Sequence, residues 1–196
     1  MNYKLKIFFT FLCFQTLIVN AQSKVDDFLG IPGPIKIDNQ EFNLVWSSNP
    51  TDNYYKQEYL TSSDKLENYQ KMIIIEFIQG DFTLDIVINQ KISELESLKK
   101  SNPIVNYIVY ENEGEYILDF LLSENTEDGK EIKIAERNVY RYKIISNNDK
   151  KGVLLFAISE RGYPNNLKEF FNNLNENNIE LIQSVGSYKL PQIKIK

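Results

Sequence analysis

Lys71-Met72-Ile73-Ile74-Ile75-Glu76-Phe77-Ile78-Gln79 is the stretch whose reading decides the fold. Its apolar core is short for an independent helix and rich in β-branched isoleucine, whose stiff χ1 torsion suits a pleated strand. Apolar side chains stand at consecutive rather than alternate positions, so the expected strand is buried on both faces. A helix is the alternative, because periodicity alone does not separate the two at this length.

C-terminal to that strand, Leu84, Val87, Ile88, Ile92, Leu95 and Leu98 recur at helical spacing behind the candidate caps Asp81 and Thr83. The helix ends before Asn102-Pro103, since the residue preceding proline disfavours helical torsions. Residues 104–110, 115–123, 131–145 and 152–160 then read as strands. The segments between them, such as Asn112-Glu113-Gly114 and Asn125 to Gly129, carry turn chemistry, so four consecutive antiparallel strands are expected. Pro164-Asn165-Asn166 opens a closing helix with Leu167, Phe170, Phe171 and Leu174 on one face. Ile179 to Val185 either continues that helix or adds an edge strand, and residues 186–196 form an extended tail.

On the N-terminal side, Ser63 or Asp64 with Glu67 predicts a short capped helix over Lys65 to Gln70. Tyr54 to Leu60 alternates as a strand, placing Tyr55, Gln57 and Tyr59 on one face and Tyr54, Lys56, Glu58 and Leu60 on the other. Asn49-Pro50-Thr51-Asp52-Asn53 is a turn cluster, preceded by short strand-like runs at Ile35 to Ile37 and Phe42 to Trp46. Residues 22–34 include Gly30-Ile31-Pro32-Gly33-Pro34, which resists regular structure and predicts a loosely held arm. Residues 1–21 read as a signal peptide: Lys4 and Lys6 precede an apolar run from Ile7 to Val19, too short to span a bilayer, and cleavage is expected after Ala21. The expected product is exported, to the periplasm or beyond, with no membrane span after cleavage.

One domain over 35–185 is therefore expected: an α+β fold in which an antiparallel sheet meander is covered by two main helices, on one face or, as an α/β/α sandwich, on both. The Trp46 strand, the Tyr54 to Leu60 segment, the short helix leading into Met72 to Ile78, the long helix, the meander and the last helix together resemble the PsbP-like sandwich of photosystem lumenal proteins and many small exported bacterial proteins. That resemblance rests on the order of elements and implies accessory binding or assembly roles. It carries no site residues over.

The full chain of 196 residues has no histidine, and its one cysteine, Cys13, lies in the leader. A Ser-His-Asp triad, a Cys-His pair, an HExxH zinc site and a histidine general base are thereby excluded. Removing residues 1–21 takes away two lysines and leaves 20 basic against 27 acidic residues, a net charge of −7. Such an acidic chain lacks the basic stripe that nucleic acid requires. Carboxylates gather at Glu111, Glu113 and Glu115 and at Glu124, Glu127 and Asp128, but in expected turns, where solvated charge is the ordinary use. Ser47-Ser48 with Lys56 is the remaining conceivable nucleophilic pair.

The candidate binding residues are Trp46, Tyr54, Tyr55, Glu58 and Tyr59, which two neighbouring strands bring together, and Arg161 after the last strand. Aromatic faces with polar tips bury large area at low entropic cost, and Arg161 forks to anionic groups. The expected function is a non-enzymatic binding or accessory module for a protein or envelope component, without a cofactor or metal. A carboxylate-dependent hydrolase of envelope glycans and an inhibitor-like protein are the alternatives.

Overall fold

The computed structural model describes residues 25–147, 150–176 and 178–195. The expected signal peptide and its cleavage point lie outside the described residues. Eight strands, β1 (Ile35–Ile37), β2 (Gln40–Thr51), β3 (Tyr54–Leu60), β4 (Lys71–Gln79), β5 (Asn106–Asn112), β6 (Glu115–Asn125), β7 (Ile132–Asn147) and β8 (Lys150–Gly162), are accompanied by α1 (Leu84–Lys99), α2 (Leu167–Glu176) and α3 (Asn178–Ser187). The strands form one antiparallel sheet in the order β1-β2-β3-β4-β8-β7-β6-β5. Two four-stranded meanders thus meet along their last strands, β4 and β8, and the fold is mixed α/β with the sheet dominating.

The double-sided apolar run explains the junction. β4 has a neighbour on each edge, and its two faces feed two separate apolar clusters. Ile73, Ile75 and Phe77 join Val139, Phe156 and the α3 residues Leu181 and Val185. Met72 and Ile74 join Leu118, Phe120 and the α1 residues Leu84, Ile88 and Leu95. β8 shows the same burial at consecutive positions from Gly152 to Ser159.

The first strands join the meander through β4, which pairs with β8 across a sequence gap that no local pattern reveals. Two expectations need correction. Lys65 to Gln70 is not a helix: the segment turns on an isolated Lys65–Asn68 bridge, while Asp64 accepts from the Thr61 hydroxyl and the Gln70 amide instead of capping. The arm is not loosely held, since Leu29 and Ile31 are buried. The Leu29 amide donates to Gln57 Oε1 at 2.8 Å, and Ile31 oxygen accepts from Tyr59 at 2.7 Å. The tail packs beside it: Ile193 is buried, and the Lys194 amide donates to Leu29 oxygen at 2.7 Å. The core therefore reaches beyond 35–185 at both ends. No helix among the described residues is long and apolar enough to cross a membrane.

Candidate functional site

Glu76 interrupts the apolar run of β4, and the sheet register sets it between Lys56 of β3 and Leu155 of β8. Lys56 Nζ lies 3.7 Å from Glu76 Oε1 and 2.9 Å from Glu58 Oε1. Two register positions along, Trp46 faces Glu58, and the Lys56 ammonium sits 6.0 Å from the centre of the indole ring. Trp46 remains 38 % exposed, whereas Glu76 is only 3 % exposed. Its Oε2 has no hydrogen-bond partner among the described residues.

A second carboxylate, Glu136, lies across β8 on β7, opposite Arg161. It is fully engaged. Its Oε2 accepts from the Tyr69 hydroxyl at 2.7 Å and from Arg161 Nε, and its Oε1 accepts from Asn138 Nδ2 at 3.1 Å. Ser159 donates to Asn138 Oδ1, and the Tyr163 hydroxyl donates to Tyr69 oxygen at 2.8 Å. The Arg161 guanidinium lies 4.0 Å from the centre of the Tyr69 ring, so the arginine is held by both its charge and its flat face.

The electrostatics keep Lys56, Arg161 and the neighbouring tyrosines in one protonation state near neutrality. Burial pushes the Lys56 ammonium down, but Glu76 and Glu58, with Glu136 behind them, outweigh it and raise the group above its ordinary value. Burial raises the hydroxyls of Tyr54, Tyr69 and Tyr140, and neighbouring Glu76 or Glu136 raises them further. Arg161 is likewise lowered by burial but raised overall by Glu136. The cluster thus sets fixed ammonium and guanidinium charges beside hydroxyls that remain protonated.

The structure divides the sequence candidates between the two faces of the sheet. Trp46, Tyr54, Glu58 and Arg161 lie on the face of this cluster. Tyr55 and Tyr59 point the other way and are 7 % and 0 % exposed. The Tyr55 hydroxyl donates to Asp52 oxygen, its ring stacks on Phe77, and Tyr59 shares the arm contacts with Gln57. These two are therefore core residues and not part of a common contact surface with Trp46, because alternation along β3 sends neighbours to opposite faces. Arg161 pairs with Glu136 of the adjoining strand. Sequence alone pairs Lys56 only with Ser47-Ser48 and does not point to Tyr69, Glu136 or Tyr140. Glu76 carried a legible signal, a lone charge inside an apolar strand.

The remaining candidates are engaged elsewhere. Glu115 is held by Arg141 and Lys143, both at 2.6 Å, while Glu124 and Asp128 pair with Lys133 and Lys130. Glu111, Glu113 and Glu127 are exposed. Ser48 stands opposite Lys56 in the ladder, yet among the described residues no side-chain hydrogen bond joins them. An open groove of about 400 Å³ lies near the start of α1, with Asp81 paired to Lys151 and Asp85 accepting from Tyr116 at 2.7 Å. No three side chains among the described residues gather as a metal site. A family model matches the chain over residues 29–190, well over half its length. No curated protein and no solved structure matches it.

Proposed function

We propose that the chain, which belongs to the family matched over residues 29–190, is an exported binding or accessory module that engages a protein or envelope component through the β2-β3-β4-β8 part of one sheet face. The observation that carries this reading is the fixed-charge cluster of Lys56, Glu58, Glu76, Glu136 and Arg161, lying beside a partly exposed Trp46. α1 packs against β5, β6 and β7, the other part of the same face. Buried charge costs stability unless it is well paired, so a cluster of this size on a sheet face points to selection for contact rather than for folding. Apolar clusters on both sides of β4, one including α1 residues and the other α3 residues, support an α/β/α layering and with it the likeness to PsbP-like accessory proteins.

Affinity capture from the native envelope tests the reading. The full chain is compared with Trp46→Ala and with Ile179→Ala, an exposed apolar position on α3. The expected result is one stoichiometric partner retained by the full chain and the Ile179 variant and lost from the Trp46 variant, with matching melting temperatures. Equal retention by all three, or no partner retained by the full chain, overturns it.

A further inference from the structure

The cluster is unevenly satisfied. On the β7-β8 side, one carboxylate, Glu136, meets one guanidinium, and both of its oxygens have donors. On the β2-β3-β4 side, two carboxylates, Glu58 and Glu76, share one ammonium, and the contact to Glu76 is the longer at 3.7 Å. The charge of this corner is short by one positive group. The deficit coincides with the one buried side-chain oxygen, Glu76 Oε2, for which the described residues provide no donor. The Tyr54 hydroxyl and Lys56 both interact with the Glu76 side chain, yet a buried carboxyl oxygen without a donor of its own has lost its hydration, and native proteins rarely leave such an atom unmatched. The Lys56 ammonium that Glu58 and Glu76 share lies 6.0 Å from the centre of the Trp46 ring, the side chain that attracts cations most strongly through its face, and Trp46 itself stands opposite Glu58.

We infer that the corner formed by Trp46, Glu58 and Glu76 receives an organic cation, an ammonium or guanidinium group, whose N–H donors reach Glu76 and whose charge lies against the Trp46 ring. The inference rests on the binding role proposed for this face and specifies what the face takes. An incoming cation restores charge balance, gives Glu76 Oε2 a donor and covers Trp46 in one event. A neutral group of the same shape does none of the electrostatic part, and an anion adds to the existing excess of carboxylate. The source of the cation is either an Arg or Lys side chain of a partner or a free polyamine, which present the same chemistry.

The chain has a single tryptophan, so its intrinsic fluorescence reports this corner alone among the indoles. The full chain is titrated at constant ionic strength with n-butylammonium, n-butylguanidinium and the neutral isostere n-butylurea. The expected result is a saturable change with both cations and none with the urea. Glu76→Gln and, separately, the more accessible Glu58→Gln weaken the cations by about tenfold or more, the usual loss when a charge-assisted contact becomes a neutral one. The second variant keeps the test decisive if the first does not fold. A short peptide with one arginine and spermidine then distinguish the sources, since either order of affinity identifies a cation donor. Equal response to butylurea, unchanged cation binding in a folded variant, or no saturable signal overturns the inference. If those results appear while Trp46→Ala still abolishes partner capture, only the cation assignment falls and the contact face stands.

Discussion

Gly152 sits inside β8, paired with Gln79 of β4 and Ile145 of β7, at the seam where the two meanders join. A methyl group built there lies 2.3 Å from Ile78 oxygen and 2.7 Å from the Phe77 ring. The first of these is a backbone atom of the central strand and cannot rotate away, so Gly152→Ala must separate β4 from β8 locally. Overpacking of this kind costs about 1–3 kcal/mol. Distorting the adjoining ladder bonds adds about 1 kcal/mol for each bond affected. Lower entropy of the unfolded alanine chain offsets about 0.4–1 kcal/mol. The net expectation is a loss of roughly 2–4 kcal/mol, or about 5–15 °C in Tm for a domain of this size. Gly114→Ala provides the contrast: its φ is +75° but no atom lies within 4 Å, so conformational strain alone applies, at about 1–2 kcal/mol. Urea unfolding of both variants measures the difference. A Gly152→Ala midpoint equal to or above that of Gly114→Ala would refute the claim that the seam is sterically closed.

Two further outcomes follow from the division of the aromatic set and from the ion pairs. Tyr55→Ala should lower stability by about 3–5 kcal/mol because it empties a core position and removes a hydroxyl donor, whereas Trp46→Ala at its partly exposed site should cost under about 1 kcal/mol; similar losses in denaturant unfolding would contradict the face assignment. For acid stability, burial pushes Glu115 up, but Arg141 and Lys143 hold it below the ordinary carboxylate value of 4.5. A depressed folded-state value means that stability is present above the unfolded value and lost as pH falls through the folded one. A urea midpoint followed from pH 6 downward, into the range around and below 4.5, should therefore decline less steeply for Glu115→Gln than for the parent chain, and identical acid limbs would remove Glu115 from the account.

The strands and the long helix were legible because their signals are local. Leu84 to Leu98 repeats at the helical period within one window, and the β5-to-β8 meander is punctuated by turn residues between short alternating runs. Lys65 to Gln70 was misread because its capping residues serve a turn equally well, with Asp64 binding Gln70 rather than a helical amide. The site was half legible. Residue type and strand position mark Trp46, Tyr54, Glu58 and Arg161, whereas Lys56 stands out only beside Ser47-Ser48 and Glu136 lies on an ordinary alternating strand.

Sequence by itself determined which side of β3 and β4 a residue takes, because the pleat alternates with a period of two where no bulge intervenes; in β2 the register shift between Leu44 and Trp46 breaks that alternation. It also removed imidazole and thiol chemistry outright, since a side chain that is not encoded cannot be assembled by folding. Only the tertiary structure decided that β4 lies against β8, and that pairing carries Glu76 and Lys56 toward Glu136 and Arg161. Two ion pairs drawn from four strands, Lys56 with Glu76 and Glu136 with Arg161, come to one face of one sheet through registers between segments far apart in the chain, and no local periodicity encodes which distant partner a strand will choose.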